Sequence, residues 1–98
     1  MDEITFTAPL WRAEAADAWR FVSLPVELAD LVRLRAGPPR GFGSLRVEVT
    51  VGATTWRTSV FPDSRSGTYM LPMKKSVRQA ELLEDDDDVT VVLRLIDA

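Results

Sequence analysis

The stretch LPMKKSVRQAELLEDDDDVTVVLRL, residues 71–95, runs from a basic segment through an acidic one into an apolar one. Its last part, VTVVLRL, has apolar residues at every second position, which is the period of a strand with one face on a core. Ahead of the acidic segment, Pro72 suits a first helical position, and Met73, Val77 and Ala80 recur at helical spacing. The stretch therefore predicts a helix opened by Pro72, an acidic turn and a final strand.

The segment before this stretch predicts a β-hairpin. In LRVEVTV, residues 45–51, apolar and polar side chains alternate. Gly52-Ala53 offers a tight turn, and TTWRTSVF carries the alternation into a second strand. PDSRSG, residues 62–67, has turn chemistry throughout and leads to a short strand expected around residues 68–71.

The amino-terminal half shows the same kinds of pattern. Residues 3–12 alternate as a strand, and residues 19–23 read as a short aromatic strand after a turn at residues 14–17. LPVELADLVRLRAGPP then predicts a helix. Pro25 suits its first position, and Leu28, Leu31 and Val32 share its apolar face. Gly37-Pro38-Pro39 ends it.

The order of elements occurs twice. Residues 3–51 are predicted to form a strand, a short strand ending in Leu-Pro, a helix and a further strand. Residues 54–96 show the same order. Neither half can close its own sheet, so the two halves are expected to interlock. We predict a mainly β fold, a single barrel domain over residues 1–98 in which two strand-strand-helix-strand halves combine and short helices cap the ends.

Composition excludes several kinds of chemistry. The 98-residue chain, 46% hydrophobic, fits one domain, and it contains neither cysteine nor histidine. Disulfides and thiolate nucleophiles are thereby excluded, and the commonest general base and transition-metal ligand are missing. The acidic, alternating start MDEITFTAPLWRAE lacks the pattern of a signal peptide, so we expect a cytoplasmic protein with no membrane association.

Charge is unevenly distributed along the chain. The formal net charge is −3, but six of the 15 acidic residues fall within residues 81–88. The rest of the chain carries 12 basic residues against nine acidic ones. This balance neither requires nor forbids an anionic partner.

Three stretches are similar to one protein family. They are WRFVSLPVELADLV, LRVEVTVGATTWRTSVFP, and GTYMLPMKKSVRQA followed by the acidic turn and VTVVL. Together they cover nearly the whole chain and resemble the domain-of-unknown-function family numbered 1905. The resemblance implies a double-split β-barrel in a single chain and no particular activity. Residues 71–95 also resemble the half-barrel of AbrB-type swapped-hairpin proteins, in which a short helix led by proline precedes an acidic or glycine turn and a final strand.

The turn before the last strand departs from the family pattern. Sequences of that family usually carry Gly-Asp there, whereas this chain has Asp86-Asp87. If the backbone needs a positive φ at this position, aspartate tolerates it better than most residues. We therefore expect the turn to form at a modest cost.

The basic residues of the second helix form the candidate ligand-binding set. They are Lys74, Lys75 and Arg78. On a helix opened by Pro72 they project from the side opposite Met73 and Val77, near a helix N-terminus whose free N–H groups attract anions. A phosphate or carboxylate could bind there. Alternatively, the three side chains keep the outer face soluble and balance Glu81 and the acidic turn.

Two other features have a more ordinary interpretation. The aspartates at residues 85–88 lack the alternate spacing and central glycine of a calcium loop, and we expect a solvated turn whose like charges deter strand pairing between molecules. The larger aromatic residues could line a pocket or stack bases, but in so small a domain we expect them mainly to fill the core and the barrel ends. These residues are Trp11, Trp19, Trp56, Phe21 and Tyr69.

These patterns favour a non-catalytic binding or interaction module, a monomer or weak dimer whose partner is a small anionic ligand or a protein. We predict no catalytic residue, no metal site and no cofactor. One alternative is a nucleic-acid-binding regulator, by analogy with AbrB-type barrels, with the candidate set and Arg57 contacting phosphates. Another is a small accessory or enzymatic domain that binds an anionic ligand.

Overall fold

The computed structural model describes residues 3–14, 19–36 and 43–96, which form six strands and two helices. In chain order these are β1 (Glu3–Arg12), β2 (Arg20–Ser23), α1 (Val26–Ala36), β3 (Leu45–Val51), β4 (Thr54–Asp63), β5 (Thr68–Pro72), α2 (Lys75–Ala80) and β6 (Asp88–Leu95). The predicted order of elements is therefore confirmed within these residues. The predicted helix stop at residues 37–39 and most of the predicted turn at residues 14–17 lie outside the described residues.

The strands close into a barrel in the order β1-β2-β5-β4-β3-β6, and every pairing is antiparallel. Four of the six pairings join the first half of the chain to the second, so neither half has a complete sheet of its own. The two halves occupy equivalent places in the barrel, because exchanging β1 with β4, β2 with β5 and β3 with β6 gives the same set of strand pairs. The prediction of a mainly β barrel made from both halves is confirmed.

The barrel interior is filled by the alternating apolar residues of the strands. Val47 and Val49 of β3 and Val91 and Leu93 of β6 are all 0% exposed, and Val49 lies directly opposite Leu93. Burial of one such side chain contributes about 1.5–3 kcal/mol. The period of two therefore assigned the inner faces of β3 and β6 correctly.

The apolar face of α1 is confirmed in part. Val32 is fully buried, while Leu28 and Leu31 are half-buried against the core. Ala29, which the spacing argument omitted, is also buried.

Two predictions about α2 are wrong. Pro72 does not open the helix, because it is the last residue of β5 and lies opposite Phe21. The Met73 N–H donates to the Arg20 carbonyl oxygen at 2.8 Å, so pairing with β2 continues past the proline and the helix begins only at Lys75. Ala80, expected on the apolar face, is exposed at the end of a helix of six residues.

The hairpin of β4 and β5 is longer than predicted. Residues 62–67 were expected to form a loop, but Pro62 lies opposite Tyr69 and Asp63 opposite Thr68 within the sheet. The turn itself is shortened to residues 64–67 because Asp63 closes it: its carbonyl oxygen accepts from the Gly67 N–H at 2.9 Å. None of the helices in the described part of the chain has the length and apolar character needed to cross a bilayer.

Candidate functional site

The connection from β5 to α2 borders a cavity of about 560 Å³. The wall is built from the start of β2, the end of β5 with its connection, and the first turns of α2. Its lining residues are Trp19, Arg20, Pro72, Met73, Lys74, Lys75 and Arg78. All three basic residues that the sequence singled out therefore border one cavity, together with one of the aromatic residues.

Lys74 and Lys75 supply positive charge without a partner at this wall. Both are exposed, and neither forms an ion pair with any carboxylate of the described residues. They are also the only two lysines in the chain, since arginine supplies the other ten of its 12 basic residues. Each ammonium group is a compact charge with three donors on a flexible stem, which suits an anion of any geometry.

The position of these lysines does not arise from helical spacing. Lys74 has φ −66° and ψ 158°, an extended backbone, and only Lys75 belongs to α2. Since α2 has six residues, it supplies little of the anion attraction that a longer helix would provide at its N-terminus. The two residues are consecutive and lie on either side of the junction between the extended chain and the helix.

Arg78 has a different role from the lysines. Its Nε–H donates to the Met73 carbonyl oxygen at 2.9 Å, and the residue is half-buried. Rather than projecting away from Met73 as predicted, the guanidinium turns back and holds the connection that carries the lysines. Arg78 thus fixes the shape of the cavity wall as well as contributing charge to it.

Arg20 is a cavity residue that sequence reasoning missed. Its Nε–H donates to Oδ1 of Asp85 at 2.6 Å, and its side chain is only 17% exposed. The two residues are 65 positions apart, so no local pattern could have linked them. The cavity wall is therefore joined to the acidic turn by a charge-assisted hydrogen bond.

Three aromatic rings form a cluster beside the cavity. Phe21 points away from the barrel interior, because its neighbour Val22 is fully buried inside. Its ring lies 5.0 Å from that of Trp11 and 6.0 Å from that of Trp19, and the Trp19 and Phe21 planes differ by only 11°. The two indoles cover Phe21, which is why a phenylalanine on an outer face is buried.

Trp19 departs from the expected core-filling role. It is 55% exposed, whereas Trp11 donates from Nε1 to the Ser23 hydroxyl at 2.9 Å and Trp56 packs against the core. The prediction that the aromatic residues fill the core is confirmed for Tyr69 and wrong for Trp19, while Phe21 is buried outside the barrel interior. Trp19 is also the only tryptophan that borders the cavity.

The acidic turn is an ordered structural element. Asp86 has φ 73°, the positive value for which aspartate is tolerated, and its N–H donates to the Leu10 carbonyl oxygen at 2.9 Å. The Asp87 carboxylate accepts from the Glu84 N–H at 2.8 Å. Within the described residues, no group of three or more carboxylates is arranged to hold a metal ion.

A second cavity of about 390 Å³ adjoins the first and shares Lys75 and Arg78 with it. Its remaining lining residues are Gln79, Leu82, Leu83 and Glu84. Leu82 is 85% exposed and has φ 55°, an unusual conformation for leucine. The basic residues at the start of α2 thus border two neighbouring depressions.

The structure does not bring Arg57 to this site. It lies on β4, where it pairs with Glu48 at 3.5 Å, and the same carboxylate accepts from Arg94 at 2.6 Å. Arg57 and Arg94 are both cross-strand neighbours of Glu48, so the three form a charge row on the sheet. This row is not part of the cavity wall.

This geometry defines a class of protein: six-stranded antiparallel barrels with a cationic cavity beside a short helix. The chain belongs to the family described as domain of unknown function DUF1905, whose sequence model matches residues 6–93. The match confirms the family resemblance seen in the sequence, and it includes both Trp19 and the two lysines. No curated protein matches the chain significantly.

Proposed function

We propose that this chain is a non-catalytic binding module whose ligand is a small anion held in the cavity by Lys74 and Lys75. One observation carries the proposal: the only two lysines of the chain lie side by side in a cavity wall, and no carboxylate of the described residues pairs with them. A concave wall with one sign of charge focuses the field and raises the local concentration of counter-ions. In a chain of net charge −3, that attraction is local to the cavity.

The surrounding residues support this role by holding the wall in place. Arg20 is bound to Asp85, and Arg78 is bound to the Met73 carbonyl oxygen. A wall that is already ordered loses little conformational entropy when a ligand binds. The lysine stems alone remain to be ordered by the anion.

The nucleic-acid alternative has less support. It added Arg57 to the basic surface, and Arg57 is paired with Glu48 away from the cavity. Asp85 stands beside Arg20 at the cavity wall and would repel a long phosphate backbone. A small anion can occupy the cavity without approaching the whole acidic turn.

We also infer the finer features of the fold. The unchanged pairing when the halves are exchanged supports a double-split barrel, with residues 1–98 as one domain. Closure of the described strands leaves no edge among them for pairing with a second copy. We therefore expect a monomer or weak dimer.

Calorimetric titration with inorganic phosphate at low ionic strength tests the proposed function. The variant Lys74→Gln/Lys75→Gln removes two charges at the cavity, and Arg46→Gln/Arg65→Gln removes two exposed charges elsewhere. We expect the first variant to lose at least about tenfold in affinity and the control to change by less than about twofold, with binding weakened by added salt. Equal affinities in the two variants, or no binding to the unmodified chain, would contradict the proposal.

A further inference from the structure

The exposed face of Trp19 adds a second recognition element to the cavity. Its ring lies parallel to that of Phe21, which is itself buried beneath Trp11. Phe21 covers one side of the indole, so the surface that borders the cavity is the other face or the ring edge. Contact with the buried Phe21 ring limits the orientations of the indole, and an exposed indole is a platform on which a planar ring can stack.

The size of the cavity indicates a ligand larger than a simple anion. A volume of about 560 Å³ lies within the range of roughly 300–1,000 Å³ typical of small-molecule pockets. Inorganic phosphate fills only a small part of that space. Pro72 and Trp19 give the remaining wall an apolar character, which suits an uncharged ring system rather than a second anionic group.

The charge of the two lysines indicates which anionic group is bound. Both line the same cavity on flexible four-carbon stems, so both ammonium groups can approach one anionic group there. A phosphomonoester carries about −1.5 to −2 charges at neutral pH and offers three acceptor oxygens, whereas a carboxylate or a phosphodiester carries a single charge. Two unpaired ammonium groups therefore match a phosphomonoester best.

We propose that the cavity takes a phosphomonoester of an aromatic compound, of which a nucleoside monophosphate is the representative, with the ring against Trp19 and the phosphate between Lys74 and Lys75. This inference rests on the proposed anion-binding function and narrows its ligand class. The ring and the phosphate each contribute separately, because they contact different parts of the wall.

Three probes separate the two contributions: adenosine monophosphate, ribose 5-phosphate, which lacks the base, and adenosine, which lacks the phosphate. Binding is measured by calorimetry and by the change in tryptophan fluorescence. We expect adenosine monophosphate to bind about tenfold more tightly than either of the others, since stacking of a base on an aromatic side chain contributes on that order. In Trp19→Leu, we expect its affinity to fall to that of ribose 5-phosphate and most of the fluorescence change to disappear.

Each result has one meaning. Equal affinity for adenosine monophosphate and ribose 5-phosphate would overturn the aromatic part and leave the anion-binding function standing. Equal affinity for adenosine monophosphate and adenosine would overturn both. Unchanged affinity in Trp19→Leu would overturn the placement of the ring, and because Trp19 is more than half exposed, this variant is not expected to unfold.

Discussion

Arg20 donates from Nε to Oδ1 of Asp85 at 2.6 Å, and this contact joins the wall of the cavity to the turn that precedes β6. The arginine side chain is 17% exposed and the aspartate side chain 45%. A negative charge is thereby held beside the cavity that we propose binds an anion. The carboxylate competes with a bound anion for the positive potential of Arg20, so it lowers affinity while it orders the wall.

Removal of the Asp85 charge should therefore strengthen anion binding. We expect Asp85→Asn to raise the affinity for inorganic phosphate by about two- to fivefold, the scale of one partly exposed ion pair. Asp88→Asn is the matched control, because it removes the same charge from an exposed position opposite Pro9. Calorimetric titration of both variants measures the difference, and an equal effect of the two would show that only net charge matters.

A second prediction concerns the β3–β4 turn and the end of α2. The Glu81 carboxylate accepts from the Thr54 hydroxyl at 2.6 Å, and a Cβ built on Gly52 would lie 2.0 Å from its Oε1. Gly52 also has φ 57°. We expect Gly52→Ala to destabilise the fold by about 2 kcal/mol, through the left-handed backbone and through displacement of the glutamate.

A double-mutant cycle separates these two causes. In a Glu81→Ala background the carboxylate is gone, so Gly52→Ala should cost only the backbone term of about 1 kcal/mol. Chemical denaturation gives both values. An identical cost in the two backgrounds would mean that Glu81 does not press on this turn.

The end of α2 offers a stabilising substitution. Leu82 has φ 55° and is 85% exposed, and the Leu83 N–H bonds the Arg78 carbonyl oxygen at 2.9 Å, as in a Schellman motif that glycine usually completes. We expect Leu82→Gly to stabilise the fold by about 0.5–1 kcal/mol, by relief of this conformation. The control, Leu34→Gly, alters an equally exposed leucine within α1 and should destabilise by about 1 kcal/mol. Thermal unfolding should show midpoints shifted in opposite directions, and the same sign for both would refute the strain at Leu82.

Two threonines should respond oppositely to replacement by valine. The Thr68 hydroxyl is buried and has no hydrogen-bond partner, while the Thr54 hydroxyl donates to Glu81. Thr68→Val should stabilise the fold by about 1 kcal/mol, because an unpaired polar atom is replaced by a methyl group, and Thr54→Val should destabilise it by a similar amount. Urea unfolding of the two variants tests this, and a loss of stability in Thr68→Val would show that its hydroxyl is satisfied.

Much of the barrel was predictable because its strands alternate cleanly. Val47 and Leu93 were assigned to the interior by a local rule, and both are fully buried. The start of α2 was mispredicted because Pro72 satisfies the local rule for a helix start, while pairing with β2, some 50 residues earlier, keeps the chain extended. Asp86 illustrates the reverse, since the family's glycine at this turn drew attention to a positive φ as a condition, and Asp86 adopts one.

The candidate site was predictable only in part, because pairing between distant segments decides which side chains meet there. Lys74 and Lys75 stand out in the sequence, and their status as the only lysines could have been noticed from composition. Arg20 could not have been assigned, and Trp19 could not have been chosen from among the five aromatic residues that could line a pocket, because their place at the cavity depends on the register between β2 and β5. Local patterns indicate which side chains are free to act, and tertiary pairing decides which of them meet.

The central claim is that Lys74 and Lys75 jointly hold an anion, and their uniqueness permits a direct test. Reductive methylation with ¹³C-formaldehyde labels both lysines and the α-amino group and keeps the positive charge and one N–H donor of each, so an NMR spectrum should contain three resolvable sets of methyl signals. On addition of inorganic phosphate, we expect both lysine signals to shift and saturate with one shared affinity. Lysine signals that drift without saturation, or that saturate with different affinities, would contradict the claim.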